Sequence, residues 1–187
     1  LYCLIYKSVI VEEKCLVNMS FDNREGYIWY NGNIVDWKTA NIHVLNHGLH
    51  YASCVFEGER AYKGKIFASE EHTDRLFNSA LTLDMDIPFT KKEILEAKDK
   101  LLIENSLQDA YVRPVVWRGS EMMAVSAQTT KINVAIAVWE WPSYFDPEQK
   151  MQGIKLDIAK WKRPSPDCGP VHAKASGLYM ICTLSKH

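Results

Sequence analysis

Apolar and polar residues alternate along two stretches near the start of the chain, and a turn follows each alternating run. Residues 27–30 and 34–37 flank Asn31-Gly32, a pair that tolerates the positive φ angles of a tight hairpin turn. Residues 55–62 also alternate, and Lys63-Gly64-Lys65 turns the chain back toward a short apolar run. The pattern therefore predicts two β-hairpins.

The pattern then changes to a helical period and later to continuous apolar runs. Ser69 is predicted to cap a first helix, and Thr90 with Glu93 forms a capping box that opens a second. The β-rich runs 111–117 and 132–139 predict strands buried on both faces. The apolar faces of the helices comprise Leu76, Phe77, Ala80, Leu81 and Leu83 in the first, and Ile94, Leu95, Ala97, Leu101, Leu102 and Ile103 in the second.

A change of composition after residue 140 predicts a domain boundary. Residues 141–147 contain two prolines and three aromatic residues, which is typical of an ordered linker. Further on, residues 154–159 predict a strand, and residues 163–170 predict a loop. We divide the chain into an N-terminal extension before Met19 (1–18), a small domain (19–140), a linker (141–152) and the start of a second domain (153–187).

Composition and charge narrow the class of protein. With 47% hydrophobic residues, 24% charged residues and a formal net charge of −1, the chain resembles an ordinary globular protein without the basic surface of a nucleic-acid binder. No apolar run is long enough to span a membrane. Neither the cysteines nor the histidines have the spacing of a metal site, so no metal site is predicted. The number of cysteines is odd, which predicts a reducing cytoplasm. They are Cys3, Cys15, Cys54, Cys168 and Cys182.

Lys174 lies among small residues, with Tyr179 five positions further on. A neutral lysine amine can form a Schiff base with an aldehyde, provided that its pKa, ordinarily about 10.4, is lowered by burial or nearby charge. The small neighbours would let a flat cofactor lie against the backbone, and Tyr179 could donate a hydrogen bond beside the imine. This stretch alone also fits a surface lysine in a loop.

Two arginines are candidates for anion binding. Arg75 follows the start of the first predicted helix, where the helix dipole and its guanidinium could share a phosphate. On this stretch alone, a solvated helix arginine is the better explanation. Tyr111 and Arg113 face the same side of a predicted strand, because side chains alternate with a period of two. Arg113 in so apolar a strand needs an anion, either a ligand or a structural carboxylate.

Taken together, these segments resemble one known family. From about Tyr27 to the last residue, the chain is similar to the branched-chain amino-acid aminotransferases, which are class IV pyridoxal-phosphate enzymes of fold type IV. The resemblance implies an α+β fold, with a small N-terminal α/β sandwich domain followed by the start of a larger pseudo-barrel domain. It rests on Gly48-Leu49-His50-Tyr51, Val55-Phe56-Glu57-Gly58-Glu59-Arg60, His72-Thr73-Asp74-Arg75-Leu76, Tyr111-Val112-Arg113-Pro114, Trp141 and Ala173-Lys174-Ala175-Ser176-Gly177-Leu178-Tyr179.

The resemblance also implies roles for individual residues. Lys174 resembles the lysine that holds pyridoxal 5′-phosphate, Arg75 the arginine on its phosphate, and Tyr179 the tyrosine on its ring hydroxyl oxygen. Arg113 resembles the arginine that binds the distal carboxylate of glutamate. The other implied substrate contacts are the aromatic walls Tyr51, Phe56, Trp141 and Tyr144, the carboxylate partner Tyr111, and Arg60 at the border of the site.

The activity implied is transfer of the amino group of leucine, isoleucine or valine to 2-oxoglutarate, giving branched 2-oxo acids and glutamate. The family also implies a homodimer or a hexamer of dimers. The acidic residue that the family uses against the cofactor ring lies downstream of the lysine, so we expect the 187-residue chain alone to be inactive. The alternatives are a D-amino-acid aminotransferase, an aminodeoxychorismate lyase, or an inactive fragment that serves only as a dimerising domain.

Overall fold

The fold is built around an antiparallel sheet. The structure is a computed structural model, and it describes residues 20–141, 151, 153 and 157–186. Its strands are β1 (Tyr27–Tyr30), β2 (Asn33–Asp36), β3 (Cys54–Phe56), β4 (Glu59–Tyr62), β5 (Lys65–Ile66), β6 (Ala110–Arg118) and β7 (Ile132–Glu140). Within the described residues, their order is β2-β1-β7-β6-β4-β5, and β3 also pairs with β6. The long pair β6–β7 forms the centre, so the two runs predicted as buried strands are confirmed, although half-buried residues alternate with buried ones along much of β6.

Both predicted hairpins are present. Asn31 and Gly32 have φ angles of 47° and 92° between β1 and β2, and Lys63 and Gly64 have φ angles of 51° and 76° between β4 and β5. Two consecutive residues with positive φ match the right-handed twist of the flanking strands. The sequence therefore encodes both turns locally.

The run predicted as one strand over residues 55–62 is divided into β3 and β4. The register nevertheless continues across the break, because Phe56 lies opposite Val115 and Glu59 lies opposite Val112. Between them Glu57 donates its backbone N–H to the Pro114 carbonyl at 2.9 Å. Proline has no N–H to return to Glu57, so the ladder is interrupted at this pair.

The helices are α1 (His47–Tyr51), α2 (Ser69–Thr82), α3 (Lys91–Glu104) and α4 (Met180–Lys186), with short 3₁₀ segments at Trp37–Thr39 and Ser176–Tyr179. The capping box of α3 is confirmed: the Thr90 hydroxyl accepts from the Glu93 N–H at 3.2 Å, and the Thr90 N–H donates to the Glu93 carboxylate at 2.7 Å. The prediction that Ser69 caps α2 is wrong. Ala68 occupies the cap position with φ 50°, and Ser69 is the first helical residue.

A buried ion pair lies between the sheet and the two long helices. Lys98 of α3 and Glu59 of β4 are both fully buried, with Nζ 2.9 and 3.1 Å from the two carboxylate oxygens. Lys98 also donates to the Ser69 carbonyl at 3.1 Å and to the Thr73 hydroxyl at 2.8 Å. Burial raises the pKa of the Glu59 carboxyl, and the attraction of Lys98 offsets only part of that rise. The pair thus ties α3 to α2 and β4.

The segment around Lys174 returns to the sheet. Val55 and Ala175 form an isolated antiparallel bridge, and the Phe56 N–H donates to the Lys174 carbonyl at 3.2 Å.

Of the strand predicted at 154–159, residues 157–159 have no regular structure, and the others lie outside the described residues. The predicted extension and most of the linker also lie outside them. In the part of the chain that is described, no helix combines the length and apolarity needed to cross a bilayer.

Candidate active site

Lys174 is held beside the small domain by its own backbone. Its N–H donates to the Ser79 hydroxyl of α2 at 2.9 Å, while its carbonyl accepts from Phe56 at the end of β3. The half-buried side chain reaches Tyr179, and Nζ donates to the tyrosine hydroxyl at 2.7 Å. Nζ also lies 4.9 Å from the centre of the Phe56 ring. The amine therefore has a fixed position between two aromatic rings.

The small residues around Lys174, predicted from the sequence to make room for a cofactor, pack against the rest of the protein. Ala173 and Ala175 are 4% and 5% exposed and belong to the hydrophobic core. A Cβ at Gly177 would lie 3.1 Å from the Ala52 Cβ, which leaves little room for a side chain there. The smallness of Ala175 and Gly177 is thus explained by contacts with the rest of the protein.

A cleft of about 260 Å³ opens beside Lys174 and Tyr179. Two cationic side chains, Arg75 and Arg163, line it together with His172. The structure therefore brings Arg75 together with Lys174 and Tyr179, the other two residues proposed to bind the cofactor, which lie far from Arg75 in the sequence. The arrangement combines an amine with cationic groups suited to an anionic ligand.

Arg75 is paired with a carboxylate that the sequence reasoning did not identify. Its Nε and Nη2 donate to the two oxygens of Glu57 at 2.5 and 2.7 Å, and His72 Nδ1 lies 2.8 Å from the same carboxylate. Burial would raise the pKa of Glu57, but the hydrogen bonds from Arg75 and His72 outweigh this effect and lower it. The Glu57 hydrogen bond correspondingly raises the pKa of Arg75. Glu57 is thus ionised at neutral pH.

Arg113 and its aromatic neighbours form a second group that adjoins the first. The guanidinium lies 4.6 Å from the centre of the Phe56 ring, and Nη2 donates to the Tyr111 hydroxyl at 3.0 Å. Tyr111 in turn stacks on Trp141, with ring centroids 4.7 Å apart. Nε of Arg113 is buried without a partner, and no carboxylate in the described ranges forms an ion pair with this residue. A ligand anion therefore remains the better of the two explanations for Arg113.

The remaining predicted site residues lie less centrally or outside the described chain. Arg60 is opposite Tyr111 in the sheet, with its guanidinium 5.5 Å from the Tyr62 ring centre and a buried Nε that finds no hydrogen-bond partner among the described residues. Tyr51 stacks on His47 at 4.5 Å and does not line the cleft beside Lys174. Tyr144 lies outside the described residues. Their predicted substrate contacts stay predictions.

Gly58 has a role that the sequence alone did not show. A Cβ at this position would lie 2.0 Å from the Tyr111 hydroxyl oxygen, far inside contact distance. Glycine is therefore required for Tyr111 to lie where it meets Arg113. Glu57 and Glu59, on either side of Gly58, alternate with the same period as the buried Val55 and Ala61, and two carboxylates on an apolar face are a signal of buried ion pairs.

Comparison with known proteins identifies the family. The model for amino-transferase class IV matches residues 54–187. The chain belongs to the class IV amino-transferases. It is similar to the branched-chain-amino-acid aminotransferase of Pseudomonas aeruginosa, with 43% identity over 171 residues, covering 89% of this chain and 56% of the relative. The predicted family is confirmed, and the chain spans about half the length of the curated relatives it matches.

Solved structures show the same fold. The T.th. branched-chain amino acid aminotransferase with pyridoxamine 5′-phosphate superposes with a TM-score of 0.83 at 36% identity, covering 87% of this chain and 55% of that one. The same enzyme complexed with N-(5′-phosphopyridoxyl)-L-glutamate gives a TM-score of 0.78 at 35% identity, covering 87% and 53%. The α+β fold predicted for this class IV amino-transferase is confirmed. The predicted domain boundaries stay a prediction.

Proposed function

We propose that this chain forms the lysine-bearing part of a branched-chain amino-acid aminotransferase. The reaction transfers the amino group of leucine, isoleucine or valine to 2-oxoglutarate, with glutamate and branched 2-oxo acids as products. The observation that carries the proposal is the fixed Lys174 amine, hydrogen-bonded to Tyr179 in a cleft that Arg75 also lines. The names of the similar enzymes support the substrate class.

The residues present fit pyridoxal 5′-phosphate as the cofactor. Lys174 would hold it, Tyr179 would bind its ring hydroxyl oxygen, and Arg75 would bind its phosphate through N–H groups that Glu57 leaves free. When bound, the cofactor supplies an aldehyde carbon that takes up the amino group of one substrate and returns it to the other.

The side chains of the chain would carry out the proton transfer and substrate selection. The Lys174 amine, once free, takes the α-proton of the substrate, and the Tyr179 hydroxyl holds that amine in place. Phe56, Tyr111 and Trp141 offer an apolar wall for a branched side chain. Arg113, in contact with two of these rings, offers a cation for the distal carboxylate of glutamate. One pocket would then serve both substrates.

Arg113→Ala tests this assignment. Because the chain spans about half the relatives' length, activity is measured in a fusion of this chain with the remaining part of the Pseudomonas aeruginosa relative, called here the fusion enzyme. Loss of a charge-assisted hydrogen bond costs about 2 to 4 kcal/mol, so kcat/KM for glutamate should fall roughly 30- to 900-fold. The kcat/KM for leucine should change little, since leucine has no second carboxylate.

Arg24→Ala is a matched control for Arg113→Ala. The Arg24 guanidinium also lies over an aromatic ring, 4.2 Å from the centre of Phe21, but Arg24 does not line the site. It should leave both substrates unaffected. Equal losses for leucine and glutamate in Arg113→Ala would make Arg113 a structural residue and contradict its proposed role.

A homodimer, or an assembly of dimers, is part of the proposal. The segment 42–51, which leads into and forms α1, exposes a group of large apolar residues of the kind that a partner subunit covers. Their exposures are 51% for Ile42, 67% for Val44, 50% for Leu45, 62% for Leu49 and 45% for Tyr51. The exposure of so many large apolar side chains to solvent supports a subunit interface at this segment.

Leu49→Glu should shift the fusion enzyme toward monomers in sedimentation velocity, because a carboxylate would be buried in the interface without a partner. Ile103→Glu is the control, since Ile103 is 76% exposed on α3, outside this segment. Two variants that both remain dimeric would place the interface elsewhere. A stable, active monomer of the unsubstituted enzyme would refute the dimer itself.

The proposed compartment is the cytoplasm. Among the described residues the cysteines Cys54, Cys168 and Cys182 are free thiols. Thiols persist where glutathione and thioredoxin keep them reduced, which supports a reducing compartment.

A further inference from the structure

The carboxylate of Glu57 is a buried charged group that pairs with an arginine of the cleft. Its side chain is fully buried, whereas the Arg75 side chain that it binds is 51% exposed and lines the cleft. Glu57 lies in the two-residue connection between β3 and β4, opposite Pro114. The carboxylate is therefore the fixed partner of the pair, and the arginine is the partner that reaches outward.

The backbone fixes Glu57 relative to Lys174. Its own N–H donates to the Pro114 carbonyl at 2.9 Å, and the preceding Phe56 N–H donates to the Lys174 carbonyl at 3.2 Å. The following Gly58 is packed so closely on Tyr111 that no side chain fits there. A group held by Glu57 is thus held at a set position with respect to the Lys174 backbone.

Within the described residues, one edge of the Arg75 guanidinium has no hydrogen-bond acceptor. A guanidinium has five N–H donors, and Glu57 takes the Nε–H and one Nη2–H. One Nη1–H and the second Nη2–H point in the same direction and form another fork, which matches two oxygens of a phosphate. His72 Nδ1 faces a carboxylate oxygen and must donate to it, so its 3.3 Å approach to Arg75 Nη2 is not a hydrogen bond.

We propose that Glu57 is a positioning residue that orients the free N–H edge of Arg75 into the cleft for a phosphate monoester. The inference rests on the proposed function, because it assigns the phosphate of the proposed cofactor to Arg75.

The Glu57 carboxylate has two opposing effects on phosphate binding: it orders the Arg75 side chain, and it cancels part of the positive charge of Arg75. If orientation dominates, removal of the Glu57 charge weakens phosphate binding. If charge cancellation dominates, the same change strengthens it.

The first test measures the order of Arg75 directly in the 187-residue chain. The Arg75 Nε–H should give a resolved, slowly exchanging signal in ¹⁵N NMR, assigned by its loss in Arg75→Lys. Glu57→Gln should broaden or abolish that signal. Glu71→Gln is the matched control, because it removes one negative charge a helical turn from Arg75, and no ion pair joins these two residues in the described structure. An unchanged signal in Glu57→Gln overturns the proposal.

The second test compares pyridoxamine 5′-phosphate with pyridoxamine by isothermal titration calorimetry. Glu57→Gln should weaken binding of the phosphorylated probe roughly tenfold and leave pyridoxamine unaffected, whereas Glu71→Gln should change neither. In an Arg75→Gln background, Glu57→Gln should not weaken binding of pyridoxamine 5′-phosphate further. If Glu57 had a merely structural role, the substitution would weaken binding in that background as well. Thermal unfolding monitored by circular dichroism confirms that each variant is folded.

Two results of this titration overturn the proposal and leave the proposed function standing. Tighter binding of pyridoxamine 5′-phosphate by Glu57→Gln would show that charge cancellation dominates. Equal losses for both probes would show that Glu57 supports the cleft as a whole. Failure of the proposed function gives a different result from both. In that case the unsubstituted chain itself would bind pyridoxamine and pyridoxamine 5′-phosphate equally well, and the assignment of the phosphate to Arg75 would also be wrong.

Discussion

Lys174→Ala is expected to abolish covalent attachment of pyridoxal 5′-phosphate in the fusion enzyme and to lower transamination by a factor of at least about 10³. The reason is that, among the lysines that the structure describes, Lys174 alone combines a fixed amine, a hydrogen bond to Tyr179 and a place in the cleft beside Arg75. Borohydride treatment followed by peptide mass spectrometry checks the attachment. In the unsubstituted fusion enzyme, the labelled peptide should contain Lys174.

Lys160→Ala is the control for Lys174→Ala. The Lys160 amine lies 5.5 Å from the Trp161 ring centre and does not line the cleft, so both labelling and turnover should persist. Label on Lys160, Lys162 or Lys186 in place of Lys174 would contradict the assignment. Retention of full turnover by Lys174→Ala would contradict it as well.

The parts of the site that the sequence predicted are those set by short-range geometry. The two-residue period of a strand placed Tyr111 and Arg113 on one face, and the two side chains are hydrogen-bonded at 3.0 Å. The same local rules predicted the turns at Asn31-Gly32 and Lys63-Gly64. The proximity of Arg75 to Lys174, which are 99 positions apart, came only from the family resemblance.

The parts that the sequence did not predict depend on contacts between elements. Nothing local indicates that Glu57 pairs with Arg75, because the pairing requires α2 to pack beside the end of β3. The break between β3 and β4 depends on Pro114 of a different strand, which lies opposite Glu57 only in the folded sheet. Lys98 has the sequence context of an ordinary polar helix position, yet it is fully buried. Each case needs the tertiary arrangement to be known.

The second large effect concerns the stability of that arrangement. Lys98→Met is expected to lower the free energy of unfolding of the 187-residue chain by about 3 to 5 kcal/mol, because it leaves the Glu59 carboxylate buried without its partner. The hydrogen bonds to Ser69 and Thr73 of α2 are lost in the same step. Urea unfolding at neutral pH, followed by circular dichroism, measures the change.

Lys98→Met combined with Glu59→Leu separates the cost of an unpaired charge from the value of the pair. With both charges removed, most of the stability lost in Lys98→Met should return, because apolar replacements of similar volume avoid the desolvation of both groups. The Ser69 carbonyl is still left without the Lys98 donor, so recovery should fall short of the unsubstituted chain. Lys92→Met is the control, since the Lys92 side chain is 84% exposed and its pairing with Glu96 contributes little. If the double variant is no more stable than Lys98→Met, then the hydrogen bonds from Lys98 to α2, and not the burial of the Glu59 charge, govern the stability of this part of the fold.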